Sequence, residues 1–168
     1  MMNNELAILK EAIIAEMKAA EFYKLAAEKS DDPEVKTAFD ELATEEELHM
    51  DWLKDIYEKL IEPGKMTEEF AFENFFKNNV KKDVAVLKFS EKALATATIS
   101  VAVYGIAINM EKNAVEFYQN AADRTTQPRL RLLFNTLAEW EAGHAEQFRE
   151  VYETMMDSWW DDQGFAPY

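Results

Sequence analysis

The chain holds only two histidines, and each stands three residues after a glutamate: Glu46 and His49 in EEELH, Glu141 and His144 in EWEAGH. Side chains three apart on an α-helix share a face about one turn from each other, so a carboxylate and an imidazole at this spacing can ligate one metal ion. Thirty residues before each of these glutamates lies another, Glu16 and Glu111. With 23 glutamates among 168 residues, chance would put Glu at both positions ahead of both histidines in roughly four sequences per ten thousand.

All four glutamates fall on helical stripes that are otherwise apolar when positions are stepped by three, four and seven. Leu9, Ala12 and Tyr23 flank Glu16; Phe39, Leu42 and Leu53 flank Glu46; Tyr104, Ala107 and Tyr118 flank Glu111; Phe134, Leu137 and Phe148 flank Glu141. An unpaired buried carboxylate costs several kcal/mol, and no Lys or Arg shares these stripes to offset that cost. Two divalent cations would do so: four carboxylates carry −4, two M²⁺ carry +4, and neutral imidazoles leave the balance unchanged. Mixed carboxylate and imidazole ligation suits Fe²⁺ or Mn²⁺, and six protein ligands for two ions leave coordination positions for a small substrate.

The elements that must hold these residues form an internal repeat. AEMKAAEFYKLAAEK at 15–29 matches MEKNAVEFYQNAADR at 110–124 with an offset of 95, and the register continues through Pro33 and Pro128, Phe39 and Phe134, Leu42 and Leu137, Glu46 and Glu141, His49 and His144. Each copy reads as helix, turn, helix. Helices are expected at about 4–29, 33–60, 90–124 and 128–156, with the turns SDDP and TTQP each placing a proline at a first helical position. Residues 61–89, opened by the breaker EPG and containing the aromatic run EEFAFENFF, form a long crossover with a short extra helix expected after Thr67. The expected fold is therefore all-α, a ferritin-like four-helix bundle of two repeated hairpins joined by one long connection. Residues 1–158 are assigned to the bundle and 159–168, aromatic and acidic, to a C-terminal tail without assigned function.

Bulk properties narrow the partners. A length of 168 residues with 48% hydrophobic and 12% aromatic content suits one domain with a real core, and only four Gly and four Pro favour helix. A formal charge of −15 repels nucleic acid and anionic membranes. Zero cysteines exclude disulfides, thiolate metal sites, iron–sulfur clusters and a thiol nucleophile. Glu5, Lys10 and Glu11 interrupt any N-terminal signal core, so a cytoplasmic location is expected. The uncharged stretch 93–110 reaches the length of a membrane span, but Thr96, Thr98, Ser100, Gly105 and Asn109 break its apolarity, and it reads as a buried bundle helix.

At the Glu and Glu-x-x-His residues the sequence resembles the rubrerythrin-like branch of the ferritin-like di-iron carboxylate proteins, over nearly all of residues 4–156. The resemblance implies two Fe ions, with Mn or a mixed Fe/Mn pair also compatible. It makes Glu16 and Glu111 the single-helix ligands, and Glu46 with His49 and Glu141 with His144 the paired ones. It also implies that Tyr23 and Tyr118, about two turns after the first glutamate of each half, hydrogen-bond ligand carboxylates across the site and serve the reaction. The implied activity is reduction of hydrogen peroxide or O2 at the di-iron centre, with ferroxidase or iron storage as the alternative, and the implied assembly is a homodimer open to helix-pair exchange. The sequence departs from rubrerythrins where they carry a further glutamate three residues after the third-helix ligand: this is Ala114, and its repeat counterpart is Ala19. A rubredoxin-like site needs four cysteines and this chain has none, so electrons are expected from a separate donor protein, or else the cycle differs from that of rubrerythrins.

Overall fold

The computed structural model describes residues 2–62 and 101–162, with side chains placed for 4–62 and 101–157. These residues form four helices and, among the described residues, no strand: α1 (Met2–Lys29), α2 (Pro33–Ile61), α3 (Val101–Arg124) and α4 (Pro128–Asp162). The protein is an all-α four-helix bundle of ferritin-like type. The expected crossover, its short helix, the start of the third helix near residue 90 and the first eight residues of the uncharged stretch 93–110 lie outside the described residues. Among those described, no helix is long and apolar enough to cross a membrane.

Local chemistry accounts for the helix ends. Asp32 caps α2, its carboxylate accepting from the backbone N–H of Glu34 at 2.9 Å and Val35 at 3.2 Å, and Pro33 fills the first helical position, where no donor is needed. At the start of α4 Pro128 plays the same part, and the Thr125 hydroxyl accepts from Gln127 N–H at 3.2 Å. Helix α4 runs past the expected end near residue 156 to Asp162.

Each hairpin packs along its full length, α1 on α2 and α3 on α4, whereas α1 and α3 touch only briefly. The core divides into two apolar clusters. One joins Leu9 of α1, Leu53 of α2, Tyr118 of α3 and Leu130, Phe134 and Leu137 of α4. The other joins Tyr23, Phe39, Leu42, Tyr104 and Phe148. Since the first half of α1 packs with the second halves of α2 and α3 and the first half of α4, α1 is antiparallel to α2 and α3 and parallel to α4. The end of α2 thus lies in one cluster and the start of α3 in the other, at opposite ends of the bundle.

Between the clusters lies a polar belt contributed by all four helices, and each cluster seals one side of it. Full burial of a large side chain such as Phe39, Phe134 or Phe148 contributes about 1.5–3 kcal/mol, which is what holds the belt out of water. A separate buried carboxylate, Glu5, fastens the start of α1 to the α3–α4 turn by accepting from Gln127 Nε2 at 2.8 Å, Thr125 Oγ1 at 3.1 Å and Thr126 Oγ1 at 3.3 Å. The repeat pattern carries no sign of this tie.

Candidate metal centre

The polar belt consists of Glu16 from α1, Glu46 and His49 from α2, Glu111 from α3, and Glu141 and His144 from α4, all buried. Every ligand-type residue expected from the sequence is brought to one place. Two four-residue groups can each hold a cation, their ligand atoms lying within 4.8 Å of one another: Glu16, Glu46, His49 and Glu141; and Glu46, Glu111, Glu141 and His144. Glu46 and Glu141 belong to both.

The shared residues each face both imidazoles. Glu46 turns Oε2 toward His49 Nδ1 at 3.3 Å and Oε1 toward His144 Nδ1 at 3.6 Å. Glu141 does the converse, with Oε1 at 3.4 Å from His49 Nδ1 and Oε2 at 3.3 Å from His144 Nδ1. Glu16 Oε2 lies 3.5 Å from His49 Nδ1 and belongs to that side alone, as Glu111 belongs to the His144 side. The spacing of a Glu-x-x-His pair suggests one ion per pair; the folded arrangement instead shares each paired glutamate between two positions.

Whether these residues fit a pair of cations is answered by the oxygens left over. Glu46 Oε1 and Glu141 Oε1 are fully buried and make no hydrogen bond. Each is a strong acceptor in a dry site, an expensive arrangement unless a positive ligand completes it. The donor set of four carboxylates and two imidazoles is that of hard-to-borderline divalent metals. The cluster is compatible with a di-metal site.

In the metal-free chain, protons take up part of that role. Burial pushes the carboxyls of Glu16, Glu46 and Glu111 above their ordinary range, and the charge of Glu141 pushes them further. Glu141 goes the other way: burial opposes its ionisation, but the two imidazoles that face it, His144 first and then His49, outweigh burial and hold it low. Burial alone would lower both histidines, yet the facing carboxylates, Glu141 first, then Glu16 and Glu46 for His49 and Glu45 for His144, lift them well above their usual value.

Tyr23 and Tyr118 stand one in each apolar cluster and cross between the hairpins. The Tyr23 hydroxyl on α1 donates to Glu111 Oε1 on α3, and Tyr118 on α3 donates to Glu16 Oε1 on α1. Burial first, then the charge of Glu111, raises Tyr23 well above the ordinary phenol range, so its hydroxyl remains a donor.

Sequence reasoning missed the outer contacts of the two imidazoles. His144 Nε2 lies 3.0 Å from Glu45 Oε2. The ring of His49 instead stacks on Trp140, centroids 5.2 Å apart and planes 19° apart, with Trp52 tilted against it at 5.4 Å. The repeat offset of 95 pairs Glu45 with Trp140, a mismatch visible in the sequence that could have drawn attention to both.

Between α1 and α3, where the hairpins barely touch, opens a cavity of about 520 Å³. Glu16, Glu46, Glu111 and Glu141 form its floor, and Ala19, Ala114, Met110 and Phe117 are among its walls. The two alanines stand at repeat-equivalent positions, and their small side chains leave the carboxylates reachable from this side. Both histidines belong to α2 and α4, the helices behind the cavity.

A family model described as rubrerythrin matches residues 7–152. Among solved structures, a hypothetical protein from Pyrococcus furiosus is similar with a TM-score of 0.64 at 26% sequence identity, over 91% of this chain and 90% of that one. No curated protein matches.

Proposed function

The chain belongs to the rubrerythrin family, and from that premise we propose that it is a non-haem di-iron oxidoreductase that reduces hydrogen peroxide, or O2, at a centre held by Glu16, Glu46, His49, Glu111, Glu141 and His144. The observation that carries the proposal is the pair of shared carboxylates: Glu46 and Glu141 each present an oxygen to both imidazoles, and each keeps a buried oxygen without a hydrogen bond. Two ferrous ions held there would supply the two electrons that, with two protons, convert hydrogen peroxide to two molecules of water. A mixed Fe/Mn or di-manganese pair is chemically compatible with the same ligands.

The protein's own groups prepare this chemistry. Tyr23 and Tyr118 fix the orientation of Glu111 and Glu16, one carboxylate on each side of the centre, by hydrogen bonds from the opposite hairpin. Two apolar clusters exclude water from both ends of the belt, which strengthens every charge interaction inside it. The α1–α3 cavity admits a small oxidant to the carboxylate face, opposite the imidazoles. Electrons to restore the reduced state come from a separate donor protein, since the chain has no cysteine to hold a rubredoxin-type iron. We place the enzyme in the cytoplasm as a homodimer, with a helix-pair exchange between subunits as a variant of the same bundle.

The test is anaerobic reconstitution with Fe²⁺, a metal count, and then addition of peroxide or O2 while near-ultraviolet absorption reports ferrous oxidation. Two ions per chain and stoichiometric consumption of peroxide are expected. Uptake of hundreds of ions per assembly would replace the enzyme with an iron store, and faster oxidation by O2 with no peroxide turnover would make it a ferroxidase. Failure to bind two ions would remove the di-metal reading altogether.

A further inference from the structure

The two halves of the centre are related by the repeat, yet the residue beyond each imidazole is not. Glu45 of α2 reaches across to His144 of α4, with Oε2 3.0 Å from Nε2. Its repeat counterpart Trp140 of α4 reaches across to His49 of α2, and there offers an indole face stacked at 5.2 Å. Trp52 closes the same pocket, its ring 5.7 Å from Trp140, whereas the repeat equivalent of Trp52 is Gln147. Among the described residues no acceptor meets His49 Nε2. One geometric slot, the residue immediately ahead of the Glu-x-x-His glutamate, thus carries an anion in one half and an aromatic plane in the other.

We propose that Glu45 makes the two metal positions unequal, so that the position built on His144 fills first and more tightly and the one built on His49 fills second. This rests on the di-metal reading given above and adds an order to it.

The physical reasoning concerns the imidazole. A carboxylate accepts but cannot donate when ionised, so at 3.0 Å it selects the tautomer of His144 that carries hydrogen on Nε2. Once a cation displaces the proton that Nδ1 shares with Glu141, the Nδ1 lone pair points inward, toward Glu46 and Glu141, where the cation would sit. The same hydrogen bond pushes electron density into the ring and makes Nδ1 a better donor to a metal, an effect whose removal typically costs about 10–100-fold in affinity. Stacking on Trp140 and Trp52 orients the His49 ring but selects neither tautomer, and the indoles supply no charge to favour the metal-bound form. Glu46 and Glu141 are common to both positions and cannot create the difference; Glu16 and Glu111 each accept from one tyrosine and are matched. Glu45 and Trp140 are the unmatched pair.

Stepwise addition of Co²⁺ to the metal-free protein, followed by calorimetry and by the visible absorption of the bound ion, tests this. Two resolved steps separated by about 10–100-fold in affinity are expected. His144→Ala should abolish the tight step and His49→Ala the weak one. Glu45→Gln should weaken the tight step by about tenfold or more, drawing the two together. The Glu45 side chain is 29% exposed, so the variant is not expected to disturb folding. In the protein carrying one Co²⁺, the Nε2 hydrogen of His144 should give a shifted, slowly exchanging proton resonance that is lost in Glu45→Leu, a signature that loss of packing alone would not produce. Two equal steps, an unchanged tight step in Glu45→Gln, or loss of the tight step in His49→Ala would each overturn the proposal while leaving the di-metal centre standing. Absence of any second ion would overturn both.

Discussion

Tyr23 on α1 and Glu111 on α3 are joined by a hydrogen bond that crosses from one hairpin to the other, and Tyr118 returns it to Glu16. These contacts tie the two repeats at the level of the candidate ligands, where α1 and α3 otherwise touch little. Tyr23→Phe frees one buried carboxylate oxygen on the His144 side, and Tyr118→Phe does so on the His49 side. Each variant should lose about 1–3 kcal/mol of stability, the cost of leaving a buried acceptor unsatisfied. Metal affinity on the affected side should fall by about 10–100-fold. Thermal unfolding and Fe²⁺ binding, measured on the same preparations, check both; unchanged affinity in either variant would leave the tyrosines as ordinary core residues.

Glu46 is kept at a cost to the metal-free fold. It is 1% exposed, its Oε1 is unpaired, and burial raises its carboxyl well above the usual range. Glu46→Gln removes the ionisable group while preserving its shape, so the metal-free variant should be more stable than the parent by about 1 kcal/mol or more. The same variant should fail to hold two ions, because Glu46 serves both positions. Glu16→Gln affects one position only and should retain one ion. Denaturant midpoints in the presence of a chelator, alongside metal counts without it, separate the two effects.

The pH dependence follows from the direction of each shift. Glu16, Glu46 and Glu111 bind protons more tightly in the folded chain than at their ordinary value of 4.5, and His49 and His144 more tightly than at 6.5. Such groups contribute stability at low pH and lose it as the pH climbs through their raised folded values. Glu141, held low, contributes above 4.5 and loses its contribution as the pH falls. The metal-free protein should therefore melt at progressively lower temperature between about pH 5 and about pH 8. Cations compete for the same lone pairs, so metal affinity should rise over that interval and binding should release protons. Melting curves with and without chelator should diverge as the pH rises, and curves that converge would contradict the assignment of these protons to the belt.

Access can be tested apart from binding. Ala114 lines the α1–α3 cavity beside the carboxylates and makes no polar contact with them. Ala114→Phe should narrow the approach, lowering kcat/KM for peroxide by about tenfold, equivalent to about 1.4 kcal/mol. The metal count should stay at that of the parent. A fall in metal binding together with the rate would instead mean that the bulk had displaced the ligands.

The six ligand-type residues were legible in the sequence because helical periodicity is local. Steps of three and four placed Glu16, Glu46, His49, Glu111, Glu141 and His144 on apolar stripes, and the offset of 95 doubled the pattern. The same repeat implied two hairpins, and the described helices pair in that way. Tertiary structure decided everything that depends on how one helix is rotated and docked against another. It set Glu46 and Glu141 within reach of both imidazoles and Glu16 and Glu111 each in one of the two carboxylate–imidazole groups, though spacing along the chain treats each Glu-x-x-His pair as a unit. It brought Glu45 to His144 and Trp140 to His49, a crossing between α2 and α4 that no single-helix pattern encodes. It also buried Glu5 against the α3–α4 turn, where three donors from residues more than a hundred positions away satisfy a charge that sequence would place in water. Periodicity reports which face of a helix is dry; which partner that face meets is set by packing between helices, a property of the whole fold.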